Sequence, residues 1–141
     1  MERFLVDEAA TENLGAELAE SQRAGLVWLE GDLGAGKTTL VRGWLRALGH
    51  AGPVKSPTYT IVEPYHLDGV CVYHFDLYRL SDPEELELIG VRDYLVPDNL
   101  CLVEWPRRGE GVLPAPDLRV SLENAGTGRR VRVAVTAEED S

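Results

Sequence analysis

Three glycines, a lysine and a threonine fall in the order Gly31-Asp32-Leu33-Gly34-Ala35-Gly36-Lys37-Thr38. The spacing fits GxxxxGK[ST] without a mismatch, and these residue types point to phosphate chemistry. Gly31, Gly34 and Gly36 permit backbone angles closed to other residues, so successive amides can turn inward around an anion. The Lys37 ammonium can reach the β- and γ-phosphates of a nucleotide, and the Thr38 hydroxyl can ligate Mg²⁺. A chance glycine-rich turn is the competing explanation, and the flanking segments argue against it.

The loop needs a strand before it and a helix after it. Leu26-Val27-Trp28-Leu29 is an apolar run that reads as a buried strand. From Thr38 to Leu48, residues Leu40, Val41, Trp44, Leu45 and Leu48 recur on one side of a helix. The positive end of that helix comes to the same spot as the glycine amides.

A P-loop nucleotidase also needs an acid at the C-terminal end of a nearby strand, to hold Mg²⁺ directly or through water. Two residues qualify. Glu104 ends Leu100-Cys101-Leu102-Val103, a run apolar throughout and so suited to a strand buried on both faces. We assign Glu104 to Mg²⁺ over the alternative of an exposed acid at a strand end. Asp76 ends Val70–Phe75 and can orient the attacking water or hold a water of the metal shell. On residues alone, a capping or salt-bridging acid near Arg79 explains Asp76 equally well. Ser56 and Thr58 follow the P-loop helix at the topological place of a switch loop that senses the γ-phosphate, although a plain Ser-Pro turn is the simpler reading. His50, His66 and His74 have no metal-ligand spacing, and His74 reads as a structural histidine on the Asp76 strand. Trp105 follows Glu104 directly and belongs near the nucleotide end.

The 141 residues suit one domain, residues 1–141, with 44% hydrophobic and 27% charged side chains. A formal charge of -10 opposes a phosphate backbone, which disfavours tight direct binding to nucleic acid. Arg129, Arg130 and Arg132 read as a solvated strand face rather than a basic patch. Cys71 and Cys101 lie in apolar runs and read as small core residues of a reducing compartment. No basic-then-apolar leader opens the chain and no apolar run approaches a membrane span, so the expectation is a cytoplasmic protein with no membrane attachment. A guanine-reading Asn-Lys-x-Asp is missing, which counts against a GTPase switch. A kinase would need arginines on a lid, and Arg79, Arg107 and Arg108 are the supply, without an insertion of lid length.

The remaining elements follow from pattern. Phe4-Leu5-Val6 suggests a short edge strand. Thr11–Gln22 suggests a helix capped by Asp7 or Thr11 and stopped by Gly25. Thr60–Tyr65 and Val70–Phe75 read as an antiparallel hairpin turning at Leu67-Asp68-Gly69. Ser81-Asp82-Pro83-Glu84-Glu85 is a helix start, and a short helix over Arg92–Leu95 follows. Pro106, Pro114 and Pro116 predict loop. Leu118–Leu122 and Arg130–Val135 predict a second hairpin around Asn124–Gly128, with Ala137–Ser141 a frayed end.

Taken in order, Gly31-Asp-Leu-Gly-Ala-Gly-Lys-Thr-Thr39, Val54-Lys-Ser-Pro-Thr-Tyr-Thr-Ile-Val62-Glu-Pro-Tyr65, His74-Phe-Asp-Leu-Tyr-Arg-Leu80 and Leu102-Val-Glu-Trp-Pro106 resemble the bacterial TsaE (YjeE) family over nearly the whole chain. The Walker A block alone is generic, and the other three make the resemblance specific. It implies a three-layer α/β P-loop NTPase sandwich with a mixed, mainly parallel sheet and added antiparallel hairpins. It implies that Gly34, Ala35, Gly36, Lys37, Thr38 and Thr39 hold the phosphates of ATP, that Thr38 and Glu104 ligate Mg²⁺, and that Asp76 is a catalytic or nucleotide-site acid. Ser56-Pro57-Thr58 would belong to a switch-like loop, and Glu8 and Gly128 would lie at the adenine. The implied activity is ATP hydrolysis, weak in isolation, in threonylcarbamoyladenosine modification of tRNA. The implied partners are TsaB and TsaD, through which the acidic chain meets tRNA indirectly. Hydrolysis would reset the complex between turnovers.

Overall fold

The computed structural model describes residues 1–57, 59–67 and 69–136. Its elements are β1 (Glu2–Leu5), α1 (Glu8–Ser21), β2 (Gly25–Glu30), α2 (Lys37–Ala47), β3 (Val62–Leu67), β4 (Val70–Asp76), α3 (Glu84–Leu88), α4 (Val91–Tyr94), β5 (Leu100–Glu104), a 3-10 turn (Pro106–Gly109), β6 (Leu118–Ala125) and β7 (Gly128–Val135). The strands make one seven-stranded sheet in the order β1-β7-β6-β2-β5-β4-β3. Its centre is parallel: β2 pairs with β6 and β5, and β5 with β4. Antiparallel neighbours close both edges, β3 on β4 at one side and β7 with β1 at the other.

Alternation along the central strands sorts their side chains onto two cores. Val27, Leu29, Leu100, Leu102 and Val72 meet Leu14 and Leu18 of α1 and Leu40, Val41, Trp44 and Leu45 of α2. Leu26, Cys101, Val103 and Phe75 meet Leu86 of α3 and Val91 of α4 on the other face. The result is the three-layer sandwich expected. The parity has a consequence for chemistry: His74, Asp76 and Glu104 continue the Val70–Val72 and Leu100–Leu102 rows, so all three project on the α2 face.

Helices α1 and α2 pack at backbone distance. A Cβ added to Gly43 would strike the Glu12 carbonyl, and one added to Gly15 the Leu40 carbonyl. Arg42 ties the pair at its solvent edge, donating to Glu12 at 2.8 Å and to Glu8 at 2.6 Å. α2 ends in a Schellman arrangement, with Gly49 at φ +107, Gly49 N–H on the Arg46 carbonyl and His50 N–H on the Leu45 carbonyl.

Some boundaries differ from those expected, each for a local reason. α1 starts at Glu8 because Asp7 accepts the Ala10 N–H at 2.8 Å and caps it. Its C-cap is Gln22, and Gly25 opens β2 by donating to the Asn99 carbonyl. β3 begins at Val62, since Ile61 takes φ 70 and leaves the extended range. Pro106 starts a 3-10 turn rather than an open loop. The β6–β7 hairpin is longer and tighter than Asn124–Gly128 suggested: Asn124 pairs with Arg129 and Ala125 with Gly128, leaving Gly126-Thr127 as the turn. Thr58, Asp68 and Ala137–Ser141 lie outside the described residues. Among the described residues no helix is long and apolar enough to cross a membrane.

Candidate nucleotide-binding site

The site forms where a parallel sheet offers one, at the C-terminal ends of β2, β4 and β5. After Glu30 the chain turns through Gly31 at φ +150, Gly34 at φ +81 and Gly36 at φ +102 before α2 begins at Lys37. These are conformations that side chains other than glycine rarely adopt, and a Cβ on Gly31 would also meet the Leu122 carbonyl. Ala35 is buried under the loop with its N–H on the Asp32 carbonyl at 3.0 Å. The loop opens on a cleft of about 510 Å³ lined by Gly34, Gly36, Lys37, Thr38, Thr39, Ser56, Asp76 and Glu104, with Leu33, Tyr78, Arg79, Trp105 and Arg129 completing the wall.

Size alone does not single out this cleft. A cavity of about 530 Å³ lies at the other end of β2, but its carboxylate, Asp117, already accepts the Leu26 N–H at 2.8 Å. The P-loop cleft differs in chemistry. Lys37 is almost fully buried, donates to the Gly31 carbonyl and lies 3.7 Å from the centroid of the Trp105 ring. Burial pushes its ammonium below the usual lysine range, against the opposing pull of Glu104, Asp76 and Asp32. The Trp105 ring adds cation–π attraction to the ammonium.

Glu104, buried at the end of β5, gathers two donors on one oxygen. Oε2 accepts the Thr38 hydroxyl at 3.3 Å and His74 Nε2 at 2.6 Å. Asp76 is its register partner across β4–β5. Burial, with Glu104 adding to it, raises the Asp76 carboxyl above the usual aspartate range, despite the Tyr78 N–H donated to Oδ1 at 3.0 Å. Trp105 takes φ 57, a left-handed conformation that costs on the order of 1–3 kcal/mol for a bulky residue. The turn sets its indole beside Lys37 and 4.9 Å from the Tyr78 ring.

The loop, the lysine, the hydroxyl and both acids thus share one cleft within a mixed-sheet sandwich. Residues 5–132 match the family described as "Threonylcarbamoyl adenosine biosynthesis protein TsaE". The chain belongs to the TsaE family. It is 47% identical over 137 residues to the tRNA threonylcarbamoyladenosine biosynthesis protein TsaE of Haemophilus influenzae, covering 93% of this chain and 87% of that protein. It is 45% identical over 103 residues to the protein of the same name from Bacillus subtilis, covering 72% of this chain and 63% of that one. The crystal structure of YdiB from B. subtilis matches with a TM-score of 0.76 at 29% identity, over 99% of this chain and 88% of that one. TsaE membership places the chain in threonylcarbamoyl adenosine biosynthesis, and the matched span contains the whole cleft wall from Leu33 to Arg129.

Glu8 and Gly128, expected at the adenine, are not among the residues that line this TsaE cleft. Glu8, in the first turn of α1, is paired with Arg42. Gly128 opens β7, where a Cβ would strike the Leu5 carbonyl and the Phe4 ring. Its neighbour Arg129 is a wall residue that strand-face reasoning passed over. Arg130 and Arg132 pair with Glu123 and Glu2 on the solvated face. Arg129 turns the other way, donating to the Gly34 carbonyl at 3.3 Å, and a Cβ on Gly36 would fall 2.7 Å from its Nε. Alternation past the turn is the signal that separates Arg129 from Arg130. Cys71 and Cys101 are free, and burial pushes the Cys101 thiol up to about 12, in keeping with a core role.

Proposed function

We propose that this chain is a Mg²⁺-dependent ATPase that works with TsaB and TsaD in threonylcarbamoyladenosine modification of the tRNA adenosine next to the anticodon. In this reading hydrolysis resets the complex between turnovers. The observation that carries it is the meeting of Thr38 Oγ1 and Glu104 Oε2 at 3.3 Å beside the buried Lys37 ammonium.

The donor set fits Mg²⁺. A hydroxyl and a carboxylate are hard oxygen donors, and among the described residues no cluster of three or more His, Cys, Asp or Glu offers an all-protein cage. A cation that keeps waters and shares phosphate oxygens needs only such a sparse protein contribution. When bound, Mg²⁺ would neutralise charge on the β- and γ-phosphate oxygens.

The chain's own groups do the rest. Lys37 exchanges the Gly31 carbonyl and the Trp105 face for phosphate oxygens. The amides of Gly34–Thr39 receive the phosphates at the positive end of α2. Asp76, across from Glu104, orients the attacking water and can take up its proton, a role suited to a carboxyl held above its ordinary range. Glu8 and Gly128 are assigned to the adenine end. The -10 charge favours reaching tRNA through partner proteins.

The test is reconstitution with TsaB, TsaD, tRNA and threonylcarbamoyl adenylate, counting modified adenosines per complex. Repeated turnovers that require both this chain and ATP are the expected result. Equal yields without this chain, or with ADP in place of ATP, would overturn the proposal.

A further inference from the structure

His74 does not line the cleft, yet its polar contact with Glu104 is shorter than that of Thr38. The imidazole is fully buried, and Nε2 donates to Glu104 Oε2 at 2.6 Å. That oxygen is the one that also accepts the Thr38 hydroxyl. A free carboxylate turns easily about its last torsion, which is broad and two-fold. A short bond from a rigid ring, itself buried in a β-strand, removes that freedom.

The neighbourhood shows why a histidine stands there. Val70 and Val72 precede it on the same face of β4 and pack in the core beside α2. An aliphatic side chain at 74 would continue that row. The imidazole instead leaves Nδ1 buried with no hydrogen-bond partner among the described residues, an arrangement that burial alone disfavours. The bond from Nε2 to Glu104 is what the residue type gains.

We propose that His74 is a positioning residue, whose Nε2–H aims the Glu104 carboxylate so that it and the Thr38 hydroxyl present a ready pair of oxygens to a divalent cation. The inference rests on the Mg²⁺–nucleotide reading of the cleft and deepens it. Partners of this kind around a metal-ligating group typically change metal affinity or activity by about 10- to 100-fold when removed.

The test is calorimetric binding of the β,γ-imido analogue of ATP to the full chain, in EDTA and in excess Mg²⁺. The wild-type chain gains about tenfold or more in affinity from Mg²⁺. His74→Leu keeps the EDTA affinity and loses most of that gain. His74→Gln, whose amide nitrogen can stand near the Nε2 position, recovers most of it. Retention of the full Mg²⁺ gain by His74→Leu would overturn the proposal. So would loss of the gain in His74→Gln with its EDTA affinity intact, and this second variant keeps the test decisive where leucine prevents folding. A wild-type chain with no Mg²⁺ gain overturns the metal reading itself, and the inference with it, a failure visible before any variant is compared.

Discussion

Asp76 and Glu104 stand opposite each other as register partners at the C-terminal ends of β4 and β5. They are not equivalent. Glu104 is buried and carries two donors on one oxygen, whereas Asp76 lines the cleft with one backbone N–H on Oδ1. One acid is fixed and the other is available. Asp76→Asn should therefore lower ATP turnover by about 100-fold or more while leaving nucleotide affinity within about threefold. Glu104→Gln should abolish the Mg²⁺ dependence of binding. Steady-state hydrolysis and calorimetry on both variants check this, and the reverse assignment of losses contradicts it.

The raised Asp76 carboxyl makes a prediction about stability. Burial, with a smaller push from Glu104, holds its folded value above that of the unfolded chain, with the Tyr78 N–H first and then His74 and Lys37 pulling the other way. Between the two values the folded state binds the proton more tightly, so stability falls as pH rises through the window just above about 4. Asp76→Asn removes that loss. The thermal midpoint of the variant should match wild type near pH 3 and exceed it at pH 7. An advantage that shrinks as pH rises contradicts the assignment.

Gly43 gives a test of the scaffold. A Cβ there would strike the carbonyl oxygen of Glu12, on the helix facing α2. Gly43→Ala should destabilise the chain by about 1–3 kcal/mol through overpacking, although alanine favours a helix elsewhere. Urea unfolding measures it. Unchanged stability would show that α1 and α2 are free to move apart.

How much of this was legible depended on the kind of signal. The P-loop, the Leu40–Leu48 stripe and the apolar run ending at Glu104 are local patterns, and all three fold as their residues imply. The pairing of Asp76 with Glu104 needed the strand order, which no local pattern carries. His74 is instructive: i, i+2 spacing already put it on the face of Asp76, but only the β4–β5 register brings it to Glu104. Arg129 was hidden for a similar reason. Three arginines within four residues look alike until the hairpin turn sets which face each takes, and the turn is tighter than the run of Asn and Gly suggested. Trp105 was expected near the nucleotide end, but its contact with Lys37 depends on a positive φ that no residue type announces.

The central claim is that Lys37, Thr38 and Glu104 form a working Mg²⁺–ATP site, and Lys37 tests it most directly. The measurement is phosphate release from ATP by the wild-type chain and by Lys37→Ala, with TsaB and TsaD present, in Mg²⁺ and in EDTA. The account predicts release that requires Mg²⁺, rises with the partners and falls to background in Lys37→Ala. Release that is the same in Lys37→Ala as in wild type, or that persists in EDTA, would contradict it.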